Sequence, residues 1–288
     1  MPEWDMQGLP PVAIERMRRF ARTGLRTSLL TVPGAVGVQS VGFDPVGEVM
    51  GCIVEHIGWN GFGGCGYYGG FGMFGGPTIT SSGSRSFVGF EPYVDALYHG
   101  YGSALGRMTQ EAAAMDADGV VGVRLSVSHL GNGNREFVAL GTAVRARSNQ
   151  RPGRVFTTDL AGQDVAKLLR AGWVPCALIY GISVAVRHDD WATQRQASWG
   201  AGNTEVAGYT ELLLHVRADA RHRFGAQARS AGADAAIVSA MGLEIGEITP
   251  SDNHRDHVAE ATVFGTALAG FHRGATAPTH SLTIMPLR

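Results

Sequence analysis

The chain has 288 residues, of which 24 are basic and 25 acidic, giving a net charge of −1; 44 % are hydrophobic and only 17 % charged. Near-neutrality supplies no global field for holding a polyanion, so generic nucleic-acid binding is not expected. The apolar share is enough for one large core or two smaller ones, with two domains the expected organisation.

Glycine, at 41 residues, has about twice its usual share, which points to a loop-rich globular chain. Lys167 is the only lysine, which leaves little room for Schiff-base chemistry. No run reaches the roughly 18 apolar residues of a membrane span, and the start of the chain, with Glu3 and Asp5, lacks the basic-then-apolar layout of a signal peptide. A cytoplasmic protein without a membrane span is expected. Cys52, Cys65 and Cys176 lie far apart and form no C-x-x-C, which suits free thiols in a reducing compartment.

In chain order, residues 1–24 are an N-terminal segment. From Pro11 to Arg26 they set Ile14, Met17, Phe20 and Ala21 against Arg16, Arg18, Arg19, Arg22 and Arg26. This amphipathic stretch is expected to dock on its own domain, with a membrane surface or a partner as alternatives. An apolar strand over 45–57 follows, then the glycine/aromatic segment 58–76, read as an interface or a mobile loop. Pro92 sits at a first helical position, and Val94, Leu97, Tyr98, Tyr101, Leu105, Met108, Ala112 and Met115 recur at three- and four-residue steps, predicting a helix with one buried stripe. Val121, Val123, Leu125 and Val127 alternate with polar or small residues, and Asn132-Gly133 predicts a two-residue turn into a strand over 137–145.

The same order then recurs. Gly42 to Val46 aligns with Gly172 to Cys176 at a spacing of 130; Tyr93 to Leu97 aligns with Tyr209 to Leu213, and Ala117-Asp118 with Ala233-Asp234, at 116; Gly141-Thr142-Ala143 aligns with Gly265-Thr266-Ala267 at 124. The second copy therefore has a shorter middle loop and eight more residues in its hairpin. Its helix, 209–231, places Leu212, Leu213, Val216, Ala220 and Phe224 inward and ends at Gly232, a left-handed cap position. The fold class expected is α+β: two tandem strand–helix–hairpin units, each a small sheet packed on one long helix.

The stretch from Tyr93 to Arg147, with Ala117 to Val123 at the helix end and Gly141 to Val144 in the closing strand, resembles the YbjQ-like family, often labelled heavy-metal-binding domains. As a tandem pair the resemblance extends over residues 25–271. Domains are expected at 25–148 and 154–271, with a flexible tail at 272–288. The resemblance implies an α+β fold that assembles with itself into a homo-oligomeric ring, typically a pentamer, or here a pseudo-decameric ring of paired copies, in bacterial proteins without a settled activity. The tail, Leu282 to Arg288, is read as a disordered end or a docking peptide for a protein partner. It looks loosely like the cargo-loading tails of proteins packed in encapsulin shells, although Met285-Pro286 departs from the small-residue pair of such tails.

The family pattern contributes no His/Cys ligand cluster. Asp118 and Asp234 are expected to hold backbone amides where helix meets strand. Beyond the pattern, Asp95 and His99 on the first helix match Glu211 and His215 on the second, and Asp219 and His222 extend that row. A four-residue spacing places a carboxylate and an imidazole on one helix surface, which suits ion pairs in solvent or, where rows meet in a ring, a divalent transition metal. Asp252, Asn253, His254, Asp256 and His257 form a second dense set in the hairpin insertion. Cys52 and His56, four residues apart on a strand, stand too far apart to share a metal, and Cys52 is expected in the core. There is no Gly-x-Ser-x-Gly, no His-Glu-x-x-His and no dinucleotide fingerprint, so no enzymatic activity is expected. The leading expectation is a ring-forming assembly protein; the alternatives are a metal-binding or metal-sensing protein and a shell-targeted cargo.

Overall fold

A computed structural model describes residues 8–24, 27–57, 88–89, 91–149, 151–251, 254–271 and 285–286. The segment 58–76, Asp252, Asn253 and residues 272–284 of the tail lie outside the described residues. The fold is α+β with two sheets. The first contains β1 (Phe43–His56), β3 (Gly119–Gly131), β4 (Asn134–Ala146) and β5 (Phe156–Thr157), in the order β1-β4-β3-β5. The second contains β2 (Val88–Gly89), β6 (Trp173–His188), β7 (Ala235–Ser251), β8 (His254–Gly270) and β9 (Met285–Pro286), in the order β2-β6-β8-β7-β9. The helices are α1 (Pro11–Thr23), α2 (Val32–Ser40), α3 (Glu91–Ala114), α4 (Gly162–Arg170), α5 (Trp191–Gln196) and α6 (Ala207–Ser230).

Local chemistry accounts for the main turns. Asn132 and Gly133 have φ of 51° and 75°, the left-handed pair that a tight two-residue hairpin requires. Gly232 has φ of 70° just after α6. Asp118 Oδ2 accepts from the amide of Ala146 at 2.7 Å, and Asp234 Oδ2 from that of Gly270 at 2.8 Å, so these carboxylates tie the helix-to-strand turn to the closing strand, as expected. The extra hairpin residues extend the strands: β7 and β8 have 17 residues each, β3 and β4 have 13.

The long helices lie very close to their strands. A Cβ on Gly51 would stand 2.0 Å from Ala104 O of α3, and one on Gly181 2.0 Å from Ala220 O of α6. The buried stripe of α3 (Val94, Leu97, Tyr101, Met108, Ala112) packs on β1 and β4, and that of α6 (Leu212, Val216, Ala220, Phe224) on β6 and β8.

The sheets are not equivalent in their surroundings. Leu178, Tyr180, Ile182 and Val184 join the core around α3, while Ile179 and Ala185 join the core around α6. The layers thus run first sheet, α3, second sheet, α6. This explains the unbroken apolar run of β6, which is buried on both faces. The one-helix-per-sheet expectation is therefore incomplete: the second sheet has a helix on each face. On the first sheet the face holding Val49 and Gly51 is covered by α3, and the other face is covered at the end holding Val121, Thr142 and Val144, where α2 and α4 pack; further along that face Met50 and Cys52 are half-buried and Val54 is exposed. Cys52 is thus displaced from the core in which it was expected.

Three short helices, α2, α4 and α5, and three two-residue strands, β2, β5 and β9, were not expected. α2 and α4 meet at glycines: a Cβ on Gly162 would stand 2.3 Å from Gly34 O, and one on Gly37 2.7 Å from the Cα of Gln163. β5 adds parallel to β3 at Gly119–Val120, and β9 adds antiparallel to β7 at Ala235–Ala236, the matching positions of the other hairpin. α1 docks beside α3: Arg16 forks onto Glu111, a fully buried carboxylate on α3 that also accepts from the amide of Met50.

Candidate functional site

The helix row is exposed on both helices except at half-buried Asp219, and His99, Glu211 and Asp219 pair with other side chains. His99 Nδ1 pairs with Glu55 of β1, and Ser103 Oγ lies 3.5 Å from its Nε2; Asp95 is exposed one turn away. Glu211 accepts from Arg187 Nη1 at 2.7 Å. Asp219 accepts from Arg223 Nε at 2.8 Å, and Arg223 also reaches Glu91 at the start of α3. Burial acts against ionisation of Asp219, yet hydrogen bonds from Ser183 and Arg223 hold its carboxyl below the usual range. His215 and His222 are exposed on α6. Among the described residues no group of three or more His, Cys, Asp or Glu side chains is arranged to hold a metal ion. Two of the row's carboxylates, Glu211 and Asp219, are paired with arginines.

Asp256 and His257 belong to a different arrangement from the hairpin tip where the sequence put them. Both lie within β8, paired in register with His188 and Arg187 of β6. His188 Nδ1 stands 2.7 Å from Asp256 Oδ1, and His257 Nδ1 3.0 Å from Asp189 Oδ1. Tyr209 Oη donates to the other oxygen of Asp189 at 3.1 Å, with its ring 4.2 Å from that of His257. Asp189 is 1 % exposed, and each of its carboxylate oxygens has a side-chain partner. Arg187, also buried, donates to the carbonyl of Gly208 and to Glu211. Gly208 is required there, since a Cβ would meet Thr193 Oγ1 at 2.3 Å and the guanidinium carbon of Arg187 at 2.9 Å. This network fixes the His257 ring through a carboxylate at Nδ1 and fastens the α5–α6 connection to the sheet. The sequence showed Asp256 and His257 but missed Arg187, Asp189 and Tyr209; the polar run Arg187-His188-Asp189-Asp190 after an apolar strand was the available signal. The side chain of His254 lies outside the described ones.

Asp190 caps α5, accepting from the Thr193 amide at 2.7 Å. Hydrogen bonds from Thr193, then the nearby Arg187, hold its carboxyl below the usual carboxylate range. Because the folded-state value is depressed, this contribution is present above the unfolded value, roughly pH 4, and is lost as pH falls through the folded value. Asp190→Ala is expected to cost about 1 kcal/mol at pH 7, and urea unfolding at successively lower pH should show that difference shrink.

Among the apolar surfaces left open by the described residues, beside a pocket lined by Met17, Phe20, Val46, Ala114 and Met115, are two on the outer layers. One is the outer face of the first sheet, with Met50, Cys52, Val54, Val138 and Leu140. The other is a groove of about 640 Å³ between α6 and strands β7 and β8, where Leu214 is 62 % and Met241 50 % exposed beside Arg217 and Arg221. No described helix is long and apolar enough to cross a membrane.

The family described as "Putative heavy-metal-binding" (YbjQ) matches residues 79–147. An encapsulin nanocompartment protein of Mycobacterium tuberculosis is 32 % identical over 239 residues, covering 80 % of this chain and 81 % of that protein. A UPF0145 protein of Halobacterium salinarum is 44 % identical over 71 residues, 24 % of this chain and 67 % of its own length. One from Vibrio campbellii is 38 % identical over 66 residues, 22 % of this chain and 64 % of its own. Through these matches the chain belongs to the YbjQ-like, or UPF0145, family.

Proposed function

We propose that this protein is a non-enzymatic assembly protein, built of two YbjQ-like domains at 25–148 and 154–271, that closes into a homo-oligomeric ring and serves as scaffold or cargo of an encapsulin nanocompartment. The observation that carries the reading is the pair of open apolar surfaces on opposite outer layers, one on the first sheet and one beside α6. Surfaces of this kind, different from each other and facing apart, suit heterologous association, which closes into a ring when its rotation permits. The relation to an encapsulin nanocompartment protein over most of both chains supports the compartment part. The tail, 282–288, is the proposed docking peptide for a protein partner; the addition of Met285–Pro286 to the edge of β7 supports its capacity to pair with a sheet edge. A pentamer, or a pseudo-decameric ring counted in domains, is the size the family resemblance suggests.

The family description favours a second reading, in which binding a divalent transition metal is the function. Its sites would form between subunits from Asp95, His99, Glu211, His215, Asp219 and His222, or around His254, Asp256 and His257. Light scattering of untagged protein, with elemental analysis of the same fraction before and after chelation, separates the two. The assembly reading predicts a multi-chain particle that keeps its mass in chelator. About one metal per domain, with loss of mass on chelation, would establish the metal reading instead. A reporter fused to residues 272–288 should enter a co-expressed shell; its exclusion would remove the docking role of the tail.

A further inference from the structure

Within the chain, the second sheet is seated against the first domain through a specific joint. Tyr180 stacks on Tyr98 with ring centroids 5.4 Å apart, and Tyr101 lies 5.6 Å from Tyr180 and 5.5 Å from Phe264. The amide of Ile182, on the outward edge of β6, donates to Tyr98 Oη at 3.0 Å. The Tyr180 hydroxyl lies beside Gly102, 3.6 Å from where a Cβ would stand. Leu125 and Val127 of β3 pack against the same core.

The repeat spacing places the open groove of the second domain at the same location. Leu214 occupies the position of Tyr98, Arg217 that of Tyr101, Ala218 that of Gly102, Arg221 that of Leu105, and Met241 that of Leu125. Strand register confirms the match, since Leu125 pairs with Ala139 as Met241 pairs with Val263. The groove is therefore the counterpart of a site that, one domain earlier, is filled by a sheet face. The matching sheet face is also open. On the first sheet Met50 holds the position of Tyr180, Cys52 that of Ile182, Val54 that of Val184 and Leu140 that of Phe264; all four are half-buried or exposed.

Charge follows the same division. Where the internal joint has Tyr101 and Leu105, the groove has Arg217 and Arg221; where it has Leu178 and Glu260, the open face has Glu48 and Glu136, both half-buried. Two arginines thus stand on one surface; the other holds two glutamates together with the exposed Arg124, which pairs with Leu140 in the sheet.

We propose that copies of this chain join head to tail, the outer face of the first sheet of one copy (Met50, Cys52, Val54, Leu140) entering the α6 groove (Leu214, Ala218, Met241) of the next, so that the joint between chains repeats the joint within each. The proposal rests on the assembly reading and names the surfaces that perform it. A heterologous joint of this kind leaves a free face at one end of every open assembly and a free groove at the other, and both are filled when the assembly closes.

The test uses two full-length variants: Val54→Arg on the face and Ala218→Arg in the groove, with circular dichroism and thermal unfolding as fold controls. Light scattering should give a multi-chain particle for the wild type, single chains for each variant, and a two-chain complex when the variants are mixed, because the mixture retains one intact face and one intact groove. In the charge exchange, Arg221→Glu should weaken assembly and Glu48→Arg in the same chain should restore it, a rescue that misfolding cannot produce. A wild type that stays a single chain would remove the assembly reading together with the joint. A multi-chain wild type whose variants assemble unchanged, a mixture that stays at single chains, or a charge exchange without rescue would overturn this joint while leaving assembly in place.

Discussion

Phe137→Ala is expected to destabilise the protein by about 3–5 kcal/mol, and to lower the midpoint of thermal unfolding by roughly 10 °C. Phe137 is fully buried on β4, with its ring against Gly100 of α3 and edge-on to Tyr101 at 5.1 Å between centroids. Its removal loses the transfer free energy of the ring and leaves a cavity beneath a helix that cannot collapse into it, since Gly51 already holds α3 close to β1. Tyr101 also touches Tyr180 and Phe264, so the loss is expected to reach the second sheet. Denaturant unfolding followed by tryptophan fluorescence and by far-ultraviolet dichroism should show one coincident, weakened transition. A loss below about 1 kcal/mol would mean that this centre is not where the two sheets are held together.

Arg16→Ala is the second large effect, at about 3–5 kcal/mol. Glu111 has no exposed surface and receives both Nε and Nη2 of Arg16 in addition to the Met50 amide. Deleting the arginine leaves a carboxylate without its counter-ion in an apolar layer, which costs more than the pair itself contributes. The double variant Arg16→Ala, Glu111→Gln is therefore expected to recover part of the loss, because an amide can still serve one neighbour without carrying charge. On α6 an amide already does this: Gln227 Oε1 accepts from the amide of Tyr180 at 2.9 Å. Urea unfolding of the two single variants and the double variant measures the coupling. Strictly additive losses would show that α1 is held by its apolar side alone.

Much of the fold was legible because its signals are local. The three- and four-residue stripe from Val94 to Met115 marks α3, Asn132-Gly133 marks the hairpin, Gly232 marks the end of α6, and the Asp118 and Asp234 turns follow from carboxylates beside backbone amides. β5 and β9 left no trace, since a two-residue strand adds through backbone hydrogen bonds and needs no side-chain pattern. α2 and α4 are nine residues each and are placed by glycine contacts between them, which no periodicity within either helix reveals.

The candidate site was legible in part for the same reason. Asp95, His99, Glu211 and His215 could be placed on a helix face from spacing alone, but Glu55, Arg187 and Arg223, which pair with members of that row, come from other elements or from another turn of the helix. The Asp189–His257–Tyr209 network joins residues separated by up to 68 positions and depends on the β6–β8 register. The apolar run of β6 marked a strand but was not read as burial on both faces; that the second covering element would be α3 depended on a tertiary contact between elements far apart in the chain.

The most direct measurement of the central claim is single-particle electron microscopy of untagged full-length protein in the presence of a chelator. Class averages should show closed particles with rotational symmetry, in which each chain contributes two similar wedges and the joints within and between chains alternate around the ring. Isolated chains, or particles built on two-fold contacts between identical surfaces, would contradict the account.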